Sequence, residues 1–333
     1  MGKRRQGLGR RELLGLGAAA LTAASAGTPP AYAVDKRFDL AGPNALWIDE
    51  KRLHHTTVMQ SFAFDEQRHH IYAFQVMQGG IRLPGESRTY THAERKVQGD
   101  LCLNRLSMNG DHVDHMYLKG FGHGGAIAVE ERPVGSPRLW AEGDINPASG
   151  YGRAIVRFRY AAGTVLRSGS SSVAVFRPKP GTTNNNVALD LYRRRMLLRY
   201  RLAGAPRYAL YRFDDFTAGR FNVLIDFPQP GAELGLPFQG MALHNGYAYQ
   251  MLGHALDPDH PSSPAGDGRL HCIDVRTGRV VQEQLGRPAR LRQAREPEGL
   301  AVLRRIAKPR LCLGFAAGPP RGRTYSIYYK QAL

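Results

Sequence analysis

The chain has 333 residues, 42% hydrophobic and 22% charged, so a sizeable core is available and global disorder is excluded. Three cysteines exclude a disulfide-dense scaffold. Forty-six Lys and Arg against 28 Asp and Glu give a formal net charge of +18. That balance favours polyanionic partners: nucleic acid, anionic membrane or acidic wall polymer.

Residues 1–33 read as an export signal. Lys3, Arg4, Arg5, Arg10 and Arg11 form a basic region, an Ala- and Gly-rich apolar run follows over 13–26, and Ala31-Tyr32-Ala33 fits a small-x-small cleavage pattern. Arg10-Arg11 followed by Glu12-Leu13-Leu14 is similar to a twin-arginine signal, which carries folded proteins out of the cytoplasm. The apolar run is too short and mild for a stable membrane span. The expectation is a secreted chain, 34–333, with no transmembrane segment after cleavage. Export argues against a nucleic-acid partner despite the charge. Cys102, Cys272 and Cys312 are odd in number, lie in apolar strand-like surroundings and lack CxxC spacing. Buried thiols are expected, and no zinc site.

Beyond residue 34, helix signals are scarce. Runs such as 71–76, 101–106 and 325–329 alternate with period two and are rich in Val, Ile, Tyr, Phe and Leu. Asn109-Gly110, Asn245-Gly246 and Thr277-Gly278 read as hairpin turns. This predicts an all-β protein. One pattern then recurs: a polar residue, a small or polar one, and a short apolar strand with a central Ala. The copies are Gln60-Ser61-Phe62-Ala63-Phe64, Gly125-Ala126-Ile127-Ala128-Val129, Asn185-Asn186-Val187-Ala188-Leu189, Gln239-Gly240-Met241-Ala242-Leu243 and Glu298-Gly299-Leu300-Ala301-Val302. Their spacings of 65, 60, 54 and 59 residues predict a five-bladed β-propeller as a single domain over 34–333. The small Ala is expected where inner strands converge on the axis. The first blade should comprise strands over 59–64, 71–77, 101–108 and 114–119. The last blade has three strands before Leu333, so an N-terminal strand, Lys36-Arg37-Phe38-Asp39-Leu40, is expected to supply its fourth and close the ring.

His55-Thr56-Thr57-Val58-Met59-Gln60-Ser61-Phe62-Ala63-Phe64-Asp65, Ile71-Tyr72-Ala73-Phe74-Gln75, Gly99-Asp100-Leu101-Cys102-Leu103 and the stretch from His115-Met116-Tyr117 to Gly122-His123-Gly124 carry a family resemblance. They resemble the β-propeller family shared by phage receptor-binding proteins and the teichoic acid biosynthesis protein C-like proteins, which includes exported actinobacterial members. The resemblance is densest over 54–130. It implies a five-bladed propeller that meets cell-wall glycopolymer, and it carries over no catalytic set.

In such a fold the residues entering the innermost strands face one channel mouth: Gln60, Gly125 with His123 two residues earlier, Asn185, Gln239 and Glu298. Carboxamides donate and accept at once, which suits sugar hydroxyls. They either cap the channel, bonded to one another and to water, or form a ligand site. His123, between glycines, is the histidine singled out as a general base. Glu298 is the best acid, with Arg295 or Arg292 as the cation a lyase would need. A hydrolase requires a second carboxylate about 5–9.5 Å away. Glu130 and Asp65 align at the far ends of their strands instead. His54-His55 and His69-His70 do not make metal clamps, because neighbours in a strand point to opposite faces. No metal and no cofactor are expected. Arg193-Arg194-Arg195 with Arg199, Arg201 and Arg207 suggests a basic patch, and the loop 79–98 a binding loop over the mouth. The loop 257–268 is either a second binding loop or a linker. The sequence therefore favours a secreted glycopolymer-binding propeller with Gln60, His123, Asn185, Gln239, Glu298 and Arg295 as ligand residues. A polysaccharide lyase or glycoside hydrolase using His123 and Glu298 is the alternative, and a protein-interaction propeller the third.

Overall fold

The computed structural model describes residues 37–256, 268–286, 288–289, 292–304 and 308–332. The signal-like stretch 1–33 and the loop over 257–267 lie outside these residues. Strand β1 (Ala45–Lys51) precedes a first blade of β2 (Met59–Asp65), β3 (His70–Val76), β4 (Leu101–Ser107) and β5 (His112–Lys119), as the alternation predicts. A short helix, α1 (His92–Val97), stands in the β3–β4 connection. The second blade begins with β6 (Ala128–Glu130), β7 (Arg138–Ile145) and β8 (Gly152–Arg159). The chain then leaves it: β9 (Val165–Arg167) adds in parallel to β5 of the first blade, and β10 (Ala174–Phe176) returns to pair with β8.

The third blade is β11 (Thr183–Asp190), β12 (Arg195–Leu202), β13 (Ala205–Arg212) and β14 (Val223–Pro228), with α2 (Phe213–Thr217) after β13. The fourth is β15 (Phe238–His244), β16 (Tyr247–Leu252), β17 (Arg269–Asp274) and β18 (Arg279–Leu285). The β15–β16 hairpin turns on Asn245 and Gly246, both at positive φ (49° and 80°), the geometry a two-residue turn demands. The fifth blade holds β19 (Glu296–Leu303), β20 (Arg310–Ala317) and β21 (Thr324–Gln331), and β1 completes it. The fold is thus an all-β, five-bladed propeller closed by an N-terminal strand.

The closing strand differs from the one expected. Residues 45–51 pair antiparallel with β21, from Ala45 opposite Tyr329 to Lys51 opposite Tyr325. The segment around Phe38 makes a single bridge to Ala332, and Phe38 and Leu40 are fully buried against Tyr249, Met251 and Leu313 between the fourth and fifth blades. Two apolar side chains in the pattern Phe-x-Leu fit a wedge between blades. Ala45–Lys51 shows the more exposed pattern of an edge strand.

Five apolar clusters fill the five junctions between neighbouring blades. Each repeat alanine points into the junction with the following blade: Ala63 sits with Ile127 and Val129, and Ala301 with Phe62 and Phe64. All five also line the cavity that the inner strands enclose, so the small side chain sits both in the junction and where the inner strands converge. Inner strands also approach closely two residues earlier, nearer the mouth. A Cβ on Gly240 would come within 2.7 Å of the Leu300 backbone, and one on Gly299 within 2.9 Å of Ser61. Glycine at the second position of the fourth and fifth copies is therefore a steric requirement of inner-strand packing.

Candidate functional site

The starts of the inner strands converge on a cavity of about 1190 Å³ at one mouth of the channel. The loops before β2, between β3 and β4, before β6, between β7 and β8, and between β20 and β21 contribute its wall. Of the sequence-selected residues, Gln60, His123, Gln239 and Glu298 line this cavity. Gln60 donates Nε2 to Glu298 Oε1 at 3.4 Å, linking the first and fifth blades, and Gln239 donates to the Gly253 carbonyl at 2.7 Å.

Asn185 is placed elsewhere. Its side chain is buried, donating to the Gly152 carbonyl at 3.2 Å and accepting from Thr182. Asn184, at a positive φ of 55°, faces the cavity instead, because the bulge between Thr183 and Asn186 resets the alternation. Arg295 is also away from the cavity lining. It is fully buried, its Nε donating to the Pro288 carbonyl at 2.6 Å, its Nη2 donating to the Gly286 carbonyl and its guanidinium over the Phe315 ring. Arg292 pairs with Asp49 and Glu50 beside β1. The fifth-blade cations that do reach the mouth are Arg321 and Arg323.

His123 owes its place to Glu142. This buried carboxylate, on β7, accepts the backbone N–H groups of His123 at 2.6 Å, Gly124 at 2.7 Å and Gly152 at 2.7 Å. Gly122 (φ 111°) and Gly124 (φ 81°) supply backbone angles that other residues rarely take, and a Cβ on Gly122 would collide with the Glu142 carboxyl. The imidazole lies beside Tyr151, ring centres 5.2 Å apart, and burial pushes its pKa down to about 4, so it is neutral at pH 7. Burial, reinforced by Glu296, holds Glu298 well above the usual carboxylate range, with Arg323 opposing.

Arg199, on β12, also lines the cavity and is only 2% exposed. Its guanidinium lies 4.1 Å over the Phe238 ring and its Nε donates to Gln229 at 2.7 Å, while Nη1 has no hydrogen-bond partner among the described residues. Burial lowers its pKa to about 10, which still leaves it fully charged at pH 7. Lys96, Arg201, Arg321 and Arg323 add four further cations, against the carboxyls of Glu296 and Glu298. Among the described residues no ion pair engages Arg199, Arg201, Arg321 or Arg323.

The six arginines expected as one patch are divided by the sheet. Arg199 and Arg201 reach the mouth, Arg193, Arg194 and Arg195 lie in the turn and first position at the opposite end of β12, and Arg207 pairs with Asp226 at 2.8 Å. The loop 79–98 does lie at the mouth, presenting Gly79, Gly80, Thr91, His92 and Lys96. A buried ionic cluster holds it: Arg95 contacts Glu86 and Asp100, and Lys119 bonds the same two carboxylates. Thr91 caps α1, with Glu94 completing a capping box. Asp65, ion-paired with Arg68, and Glu130, accepting from Trp140 Nε1, are not among the residues that line this cavity. The inner strands end at a second cavity of about 680 Å³, where Arg304 donates to the Leu189 and Leu243 carbonyls. All three cysteines are free and buried.

The fold is a five-bladed propeller with a polar, cationic mouth at one end of its channel. Residues 58–329 match the family described as the phage 5-bladed beta propeller receptor binding platform domain, and the chain belongs to that family. It is 28% identical over 302 residues to the putative major teichoic acid biosynthesis protein C of Bacillus subtilis (strain 168), covering 87% of this chain. The chain spans 63% of that relative's length. The tail fiber of Staphylococcus aureus phage P68 shares the fold, with a TM-score of 0.61 at 16% identity over 87% of this chain and 53% of that one.

Proposed function

We propose that this protein binds an anionic cell-envelope glycopolymer, of the teichoic acid type, in the mouth lined by Gln60, His123, Gln239 and Glu298. One observation carries the reading: Arg199, a buried and charged guanidinium, lines the cavity, and its Nη1 has no hydrogen-bond partner among the described residues. A buried cation without a carboxylate is costly, and an anionic group on a ligand would complete it through a charge-assisted hydrogen bond. The Gln60, Asn184 and Gln239 amides suit the hydroxyls of the same polymer. Membership of a receptor-binding propeller family and the name of the Bacillus relative point the same way. The export signal read over 1–33 would deliver the propeller to such a polymer, and no helix of the described residues is long and apolar enough to cross a membrane.

A second reading rests on two groups of the same mouth. Burial holds the Glu298 carboxyl well above the usual carboxylate range and keeps the His123 ring neutral, and these two groups are the ones a general acid and a general base for glycan cleavage would be drawn from. One experiment separates the readings. The protein is incubated with purified wall teichoic acid and with a neutral polysaccharide, and both depletion of polymer and appearance of new chain ends are followed. Retention of the anionic polymer without new ends is expected. New ends that disappear in Glu298→Gln establish the enzyme, and no retention of either polymer overturns the proposal.

A further inference from the structure

Three of the twelve histidines gather on the first blade, none of them among the residues that line the mouth. His54, from the β1–β2 connection, and His112 and His115, from β5, each offer a ring nitrogen, and these nitrogens lie within 4.8 Å of one another. The His54 and His115 rings are stacked with centres 3.5 Å apart, and His112 stands 5.4 Å from His54. We propose that His54, His112 and His115 form a binding site for one divalent transition-metal ion of the zinc, nickel and copper class.

The local sequence and fold build this cluster in a specific way. Residues 112 and 115 are three apart, an odd spacing that would put them on opposite faces of a regular strand. Strand β5 is bulged at this point: Asp114 pairs with Arg105, but His112 pairs with Leu106, so Val113 is an extra residue. The bulge brings both imidazoles to one side. Farther along the strand the regular alternation sends Met116 and Leu118 into the core between the first two blades.

The loop that brings His54 is fixed from beneath. Its backbone N–H donates to Asn104 Oδ1 at 2.9 Å, and Asn104 in turn donates to Gln75. Gln75 grips the next residues, accepting from His55 N at 3.1 Å and donating to the His55 and Thr57 carbonyls. Asn104 and Gln75 are fully buried. His54 is thus carried on a rigid support, while its ring, like that of His112, is exposed; it stacks on His115, and its Nε2 lies 3.4 Å from the Tyr117 hydroxyl. Tetrahedral bonds of about 2.1 Å to imidazole require nitrogens about 3.4 Å apart, so on binding the stacked His54 and His115 rings would turn about their side-chain bonds to converge on the ion. No carboxylate is part of the cluster. Three imidazoles without an oxygen ligand favour zinc, nickel or copper over magnesium or calcium. Three protein ligands also leave a coordination position open to solvent.

The test uses the full chain without an affinity tag, stripped with chelator, and titrates ZnCl2 by calorimetry, with CoCl2 absorption as a second readout. One saturable equivalent is expected, with visible cobalt bands of a tetrahedral-type site. His54→Ala and His115→Ala should each weaken zinc binding by at least ~100-fold, while substitution of an exposed histidine outside the cluster, His69→Ala, leaves it unchanged. His54→Ala removes an exposed ring, so its fold should persist, and circular dichroism checks this. Absence of saturable zinc binding overturns the proposal, as does binding that survives in the doubly substituted His54→Ala, His115→Ala protein. Loss of zinc binding in that protein with glycopolymer retention intact would leave the mouth reading standing on its own.

Discussion

Glu142 Oε1 accepts the backbone N–H of His123 at 2.6 Å, so a buried carboxylate on one blade fixes the loop that enters it. The same side chain serves Gly124 and Gly152, and three donors depend on one residue. Replacing Glu142 by Ala leaves all three buried N–H groups without an acceptor. A loss of about 3–5 kcal/mol is expected in urea denaturation. Glu142→Gln keeps the Oε1 acceptor and should lose distinctly less. Equal losses in the two variants would mean that packing, and not hydrogen bonding, is what Glu142 provides.

Gly299 lies at φ 82°, and a Cβ there would sit 2.9 Å from the Ser61 backbone. Gly299→Ala therefore combines a disfavoured backbone angle with overpacking between the fifth and first inner strands. A destabilisation of about 2–4 kcal/mol is expected from thermal or urea unfolding. Gly163→Ala, also at positive φ but facing open space, should lose only the backbone part.

Arg95 is fully buried between Glu86 and Asp100 beneath the 79–98 loop. Arg95→Met leaves two buried carboxylates with Lys119 as their remaining cation, and a loss of about 3 kcal/mol is expected. Limited proteolysis should find new cleavage within 79–98, since the loop is tied down there. Cleavage confined to other loops would show that α1 and its capping box suffice.

His55 is 2% exposed and accepts the Gln78 N–H on Nδ1 at 2.9 Å, which requires the neutral ring. Burial first, then neighbouring histidines, hold its pKa near 3, against 6.5 when unfolded. A depressed histidine contributes stability that is whole above 6.5 and is lost as pH falls toward the folded value. Between pH 7 and pH 5 the loss from His55 alone comes to about 2 kcal/mol. Denaturation midpoints at the two pH values should differ accordingly, and the difference should shrink in His55→Gln. His244, held near 4 by burial, adds in the same direction and should preserve part of the slope.

Much of the ring was legible in the sequence, because an inner strand repeats its polar, small and apolar positions wherever it meets the same geometry. The five copies located the mouth, and with it Gln60, His123, Gln239 and Glu298. Bulges were not legible. A one-residue insertion exchanges faces, which is why Asn184 and not Asn185 lines the cavity, and why His112 and His115 meet. Arg199 was visible only as one arginine among six. Its distinguishing signal is the alternation in β12, where Arg199 and Arg201 share the register of mouth residues. Arg295 misled because proximity in sequence to Glu298 does not survive the turn before β19.

The most direct test of the account is a calorimetric titration of purified wall teichoic acid into the wild-type protein, Arg199→Met and Tyr192→Ala. Tyr192 is 75% exposed at the opposite cavity and serves as the control. Loss of one charge-assisted contact should weaken binding by roughly 10- to 100-fold in Arg199→Met, with Tyr192→Ala unchanged. Undiminished binding by Arg199→Met, or a loss confined to Tyr192→Ala, would contradict a ligand held at this mouth.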